Sequence, residues 1–424
     1  MYQIENQRQA ASGTSWLGRR GAGRPKVSRN VWFLGINSFL TDISSEMVST
    51  ILPLYLLFTL RLAPIQFGII DGIYQGGSVL VRLASGYVSD RWGNPKGVAS
   101  VGYGLSAICK LGFLVVRGPF AALTALVMVD RIGKGIRTAP RDAIISLSTP
   151  ASGLGNAFGV HRALDTAGAM IGPLIAFGIL AVAQNAFDAI FVVSFCFAIA
   201  GLALLLLFVR NPKPAAAEPS DASQRLTVRE ASSVMSAPGF RLLVFVGGLL
   251  SLVTVSDSFL YLSLQDQLGL SVGFFPLLFV ATALIYMVLA VPFGRLADRI
   301  GRAPVFLAGY VVLAAAYATL LLPDYSGLQV VVTLVLLGAY YAMTDGVLQA
   351  LASSLVPPEL RGTGLGLLAT ATGLARLVAS IAFGLAWTLW GLQASLALFL
   401  LGLVGICVVA GIAFRRSPML GSNV

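Results

Sequence analysis

GYVSDRWG, residues Gly86–Gly93, recurs as GRLADRIG, residues Gly294–Gly301, with the first Gly, the Asp-Arg pair and the last Gly in register. Asp90 and Asp298 stand 208 positions apart (298 − 90) in a chain of 424 residues, close to half its length. Pro150 and Pro358 keep the same offset, just before the related runs GNAFG from Gly155 and GTGLG from Gly362. Two copies of one structural unit account for a period of that size.

Around these segments the chain is apolar. Hydrophobic residues make up 57% and charged residues only 11%, against roughly 25% charged in a soluble globular protein, so an ordinary soluble fold is excluded. Apolar runs between charged or Pro/Gly breaks predict twelve helices, at 31–58, 65–89, 97–116, 119–138, 157–182, 187–209, 240–264, 272–295, 303–322, 328–349, 364–390 and 393–414. The expected fold is an all-α polytopic membrane protein, two pseudo-symmetric six-helix bundles over 31–209 and 240–414. A basic tail (1–30), a polar linker (210–239) and a short C-terminal tail (415–424) lie outside them.

Lys and Arg outnumber Asp and Glu by 29 to 18. The even-numbered connections hold Arg91 and Lys96, Arg137 and Arg141, Arg210 to Arg229, Arg299 and Arg302, and Arg361, whereas the odd-numbered ones hold only Arg61 and Arg117. Positive charge on the cytoplasmic side places both termini in the cytoplasm and leaves no case for a nucleic-acid partner. Residues 1–30 have no apolar core with a cleavage site, so they are not read as a signal peptide. Cys109, Cys196 and Cys407 lie singly in apolar runs and the chain has one histidine, so neither a disulfide framework nor a metal site is expected. No GxxxxGK[ST] phosphate loop is present, and no cofactor is expected. A membrane enzyme would need a metal cluster or a nucleophile with its base, for which one histidine leaves little material. A non-transporting sensor is not excluded by motifs.

In its repeated loop segments and the motifs below, the chain resembles the major facilitator superfamily of secondary transporters over residues 30–415. The loop signature GxxxDRxGxxxx(K/R) stands nearly whole as GYVSDRWGNPK and degenerately as GRLADRIGRAP. The helix 4 signature RxxQGxG stands as Arg131-Ile-Gly-Lys134-Gly135-Ile-Arg137, with Lys and Arg in place of Gln and Gly. The helix 5 antiporter signature GxxxGPxxGG stands as Gly168, Gly172 and Pro173 without its last two glycines. The resemblance implies a bacterial plasma-membrane protein, a monomer in the lipid bilayer, that moves a small molecule by alternating access; its motifs come nearest to proton-driven drug and metabolite antiporters. It also implies that the loops, with Gly86, Asp90, Arg91 and Gly93 and their counterparts Gly294, Asp298, Arg299 and Gly301, latch one state, Asp90 facing the N-terminal end of helix 11.

Several intramembrane charges remain. On helix 1, Ser38, Asp42, Ser45, Glu46 and Ser49 share an arc of about 100°, opposite Leu40, Ile43, Met47, Ile51 and Leu54. Asp42 and Glu46, one turn apart, are expected to titrate as a coupled pair that exchanges protons; the plain alternative is a fixed ion pair with Lys110 or Arg376. Asp130, Lys134, Arg137 and Arg141 form a stripe on helix 4, which Pro140 is expected to end near Thr138. Arg131 beside them is expected to face the cavity and aid proton transfer. Lys134, Arg137 and Arg141 read as boundary charges, or else as a site for an anion. His161 and Asp165 on helix 5 could relay protons, and Gly168, Gly172 and Pro173 suggest a flexing seam between the halves, bent against helix 8 or helix 1. Asp257, Asp345 and Arg376 are cavity-lining groups or ion-pair partners, and Asp71 is expected near the outer end of helix 2, where its charge costs little. The leading expectation is proton-coupled export of an amphipathic or cationic organic compound. Import or export of an anionic metabolite, a metal or a metal chelate is the alternative.

Overall fold

The computed structural model describes residues 27–79, 81–82, 85, 89, 94–150, 153–183, 185–211, 234–268, 271–322, 327–357 and 360–416. Gly86, Asp90, Arg91 and Gly93, Pro358 and most of both tails and the linker lie outside the described residues. So does the contact foreseen between Asp90 and helix 11.

The described chain is helical throughout its ordered elements, and local chemistry sets many helix starts. Helix 1 (Arg29–Leu54) begins where the Ser28 hydroxyl accepts from Val31 N. Helix 3 (Pro95–Val115) begins where Asn94 Oδ1 accepts from Gly97 N at 2.9 Å. Helices 2 (Pro64–Gly76), 3 and 7 open on proline, whose missing N–H would have had no helical partner. Helices 4 (Phe120–Leu147), 5 (Leu154–Val182) and 6 (Phe187–Phe208) complete the first half. The second half holds helices 7 (Pro238–Leu252 and Asp257–Leu268), 8 (Phe275–Ile300), 9 (Arg302–Leu320) and 10 (Gly327–Leu355), then a run Arg361–Arg416 that Gly391 divides into helices 11 and 12. Gly391 (φ 81°) and Gly301 (φ 99°) reverse the chain in single residues at backbone angles that side chains avoid. That requirement explains the last glycine of GRLADRIG.

Among the described residues eight helical stretches are long and apolar enough to cross a membrane, the last of them holding helices 11 and 12 together. Helices 1 and 4, which carry most of the charged cluster below, do not qualify by composition, nor does helix 2, described as a continuous run only to Gly76.

Three expectations are corrected. Helix 4 does not end near Thr138 but runs through Pro140 to Leu147. Its Arg137, Arg141, Ile144 and Ile145 are all buried, and this packing outweighs the one hydrogen bond that proline removes. Arg137 and Arg141 are therefore not loop charges. Helix 7 is not continuous but breaks at residues 253–256, where Tyr317 Oη accepts from Val255 N at 2.7 Å. Of the two neighbours expected for Gly168 and Gly172, helix 8 or helix 1, the structure gives helix 1, and these glycines form no seam between the halves. They pack against the backbone of helix 1 at Phe39, Ile43 and Met47, inside the first half, so close helix approach there serves packing within one bundle.

Helix 1 packs on helices 5 and 6, and helix 3 on helices 4 and 6; in the second half, helix 10 packs on helices 8 and 9, and helix 7 on the run of helices 11 and 12. The halves meet along helices 2 and 11. A Cβ at Gly68, Gly72 or Gly76 would fall within 2.8 Å of a carbonyl oxygen of Ser380, Leu377 or Gly373. Ile65 N donates to Thr388 Oγ1 at 2.9 Å, Phe67 stacks edge-on against Phe259, and Phe177 of helix 5 meets Phe274 at the start of helix 8. These contacts lie at the end of the bundle that holds the 60s loop, or in its middle. The halves are thus in close contact along helices 2 and 11, from the loop end to the middle of the bundle.

Candidate functional site

Helices 1, 3, 4 and 5 bring a dense set of charges into the interior of the first half. Deepest is a triad: Lys110 Nζ lies 3.0 Å from Asp130 Oδ1, and Arg131 bonds the same carboxylate through Nε and Nη2. All three are at least 96% buried. The Arg131 guanidinium lies 3.7 Å over the Tyr74 ring of helix 2, a cation–π contact that fixes its plane. Charges this deep persist only when paired and bonded. Arg131, expected to face the cavity, is held between Asp130 and Tyr74. Lys110 serves Asp130, not the acids of helix 1.

The helix 1 acids are not each other's partners. Glu46 accepts from Ser49 Oγ at 2.6 Å. One turn nearer the termini end, the Asp42 carboxyl lies against that of Asp165 on helix 5, within hydrogen-bonding reach. Ser38 Oγ donates to Asp165 Oδ1 at 2.8 Å and accepts from Arg141 Nη1 at 3.2 Å. Arg141 lies 3.9 Å from Asp165 and 3.0 Å from Asp142, while Arg162 lies 3.5 Å from Asp165. The expected Asp42–Glu46 pair is therefore replaced by Asp42–Asp165, because helix packing across Gly168 and Gly172 carries helix 5 close to helix 1. His161, 1% exposed, sits one turn from Asp165, and its Nε2 has no partner among the described residues.

In the second half, Asp257 opens the second piece of broken helix 7 and accepts from Tyr341 Oη at 2.7 Å. Arg376 lies among Tyr310, Tyr340, Tyr341 and Asp345, so it does not reach the helix 1 acids. Asp345 is exposed. In the described copy of the loop signature, Asp298 pairs with Arg302 of its own half at 3.3 Å, Arg302 also donates to Ala350 O, and Arg299 is exposed.

Asp71 is the largest miss. It is 5% exposed, buried in the inter-half seam, and its carboxylate accepts from Ser380 Oγ of the other half at 2.6 Å, with Ser256 and Ser258 beside it. Nothing in the sequence gives the depth of a residue within a tilted helix, or the partner across a seam. Tyr74, Asn37 and Tyr103 carried no signal for the same reason.

The comparisons fit this geometry. The sequence model of the Major Facilitator Superfamily matches residues 34–272 and 244–423, essentially the whole chain beyond its tail. The chain belongs to the major facilitator superfamily. An uncharacterized MFS-type transporter of Methanocaldococcus jannaschii is 32% identical over 373 residues, 85% of this chain and 89% of that one. An uncharacterized protein of Mycobacterium tuberculosis is 34% identical over 207 residues, 48% of this chain and 50% of that one. Among solved structures, the nucleoside transporter NupG superposes with a TM-score of 0.76 at 15% identity, over 92% of this chain and 100% of that one. A bacterial homologue of the human lysosomal transporter Spinster, in an inward-facing and unoccupied conformation, gives 0.73 at 17% identity over 94% and 98%. Likenesses at such identity establish the fold alone. Superfamily membership makes the protein a membrane transporter of a small molecule and points away from an enzyme.

Proposed function

We propose that this superfamily member is a proton-coupled exporter of a small organic compound, and that the Asp42–Asp165 pair carries the coupling proton. The contact between these two carboxyls carries the reading. Away from bulk water, two carboxyl groups in contact hold one negative charge between them in place of two. Ser38 and Arg141 brace that charge. Loading or releasing the shared proton changes the charge facing the helix 4 cations. That gives the two access states a differential interaction, without which no ligand shifts an equilibrium. Proton exchange takes place as the halves rock about the Gly68–Gly76 seam.

The termini end is the cytoplasmic one in this proposal, by the charge of its connections, and the membrane is the bacterial plasma membrane. The protein works as a monomer with the proton gradient as its energy source. Export rests on the likeness of the helix 5 run to antiporter signatures. The test measures accumulation of a compound panel in cells with and without the protein, each with and without a protonophore. Gradient-dependent depletion of a compound supports the proposal; enrichment reverses the direction, and indifference to the protonophore removes the coupling. Asp42→Asn and Asp165→Asn should each lose the dependence on pH that the wild type shows, and wild-type pH dependence in both would clear the pair of any role.

A further inference from the structure

The six buried or half-buried cations of helices 3 and 4 are unequally served, Lys96 donating to Leu206 O at 2.8 Å. Lys110 and Arg131 share Asp130, and Arg141 has Asp142 and Asp165. Lys134 and Arg137 have no carboxylate within 4.0 Å among the described residues, and no hydrogen bond is made by either side chain there. The acids facing Lys134 are Glu46 and Asp42, and they are already engaged by Ser49 and by Asp165. Arg137 is 4% exposed, and among the described residues its Nη1 is without a partner.

Two more donors converge on the same place. The Arg137 guanidinium lies 4.8 Å from the centre of the Tyr103 ring, and among the described residues the buried Tyr103 hydroxyl has only the Asn37 side chain beside it. Asn37, 0% exposed, lies against the Tyr103 hydroxyl, and its side chain makes no other hydrogen bond among the described residues. Native interiors rarely leave polar groups unmet, and a cluster of them marks a place where something else binds. What is missing is an acceptor. Two cations on adjacent turns of one helix face, with a phenol and an amide next to them, are the donor set for an oxyanion, Arg supplying a planar fork and Lys a mobile point charge. Tyr103 lies eight residues from the first residue of helix 3, about 12 Å from the termini end.

We infer that the transported compound carries a carboxylate or phosphate group, received by Lys134 and Arg137 of helix 4 with Tyr103 and Asn37 as flanking donors. This rests on the transporter reading above and replaces the expectation of a cationic substrate. The acids that suggested a cation are already occupied, whereas these donors are not.

The test is equilibrium binding, which needs neither transport nor a gradient. The purified full-length protein, in lipid nanodiscs at fixed ionic strength, is melted with matched probes: benzoate, benzamide and benzylamine; succinate and succinamide; glycerol 3-phosphate and glycerol. At least one anion should raise the melting temperature while its neutral and cationic analogues do not. Lys134→Gln and Arg137→Gln, melting as the wild type does without ligand, should weaken that anion by about 10- to 100-fold each, the range for a lost charge-assisted contact. Lys134→Arg should restore most of it. A response confined to benzoate and succinate assigns a carboxylate, and one confined to glycerol 3-phosphate a phosphate. Stabilisation by the neutral or cationic probes alone, by no probe, or equally in wild type and Lys134→Gln overturns the inference. The Lys134 variant decides should Arg137→Gln not fold. Anion binding without protonophore-sensitive transport would sink the coupling proposal and leave this one standing; the converse result would do the reverse.

Discussion

Gly72→Ala tests whether the helix 2–helix 11 seam sets the balance between states. The added Cβ would lie 2.7 Å from Leu377 O and 3.4 Å from Ile381 Cγ1, and the first of these is a backbone atom that cannot swing away. The helices must part by several tenths of an ångström, which for an overpacked interior costs about 1–3 kcal/mol. The cost falls only on the state in which the seam is shut. It should therefore multiply the population open at the loop end by about 5- to 150-fold. The reporter is Ser380→Cys, a seam position 1% exposed, in a background lacking Cys109, Cys196 and Cys407. Its rate of maleimide labelling in nanodiscs is compared with and without Gly72→Ala. Both proteins share the reporter, so the ratio isolates the glycine. Gly178→Ala, where a Cβ meets nothing within 4 Å, should leave the rate unchanged. Equal labelling in the Gly72→Ala and Gly178→Ala backgrounds would refute the claim that close approach at this seam holds the loop end shut.

Asp130→Asn leaves Lys110 and Arg131 facing each other without their shared carboxylate. A loss of about 3–5 kcal/mol is expected, read as a lower melting temperature in detergent, and an unchanged melting curve would show the triad to be energetically idle. Gly301→Ala puts a side chain at φ 99° in the one-residue turn between helices 8 and 9 and should cost about 1–3 kcal/mol in the same assay, with no change in substrate selectivity. Tyr341→Phe removes the hydroxyl that Asp257 accepts from. Transport should slow several-fold with little change in melting, whereas wild-type kinetics would place Asp257 outside the working cavity.

The helix 1 acids show how far pattern reading reaches. Period 3.6 puts Asp42 and Glu46 on one polar face, and so it proved, but their partners come from elsewhere: Ser49 for Glu46, Asp165 for Asp42. The stripe Asp130–Lys134–Arg137–Arg141 was legible as spacing, while its continuity depended on whether packing could carry a helix past Pro140. Asp71 failed in the opposite direction. Its place in the sequence suggested an inexpensive surface charge, and only the seam, formed by residues some 300 positions away, buries it against Ser380.

Composition and periodicity alone determined the class of molecule: a chain with 57% hydrophobic residues, cut by short charged loops, has to satisfy its backbone within helices. The repeated loop signature pointed to the superfamily, and both follow from interactions between residues near in sequence. The tertiary structure decided where the halves close on each other, which carboxyl lies against which, and which of the helix 4 cations are paired with a carboxylate among the described residues. Those depend on helix tilt, rotation and depth, set by packing between distant segments, and no local pattern encodes them.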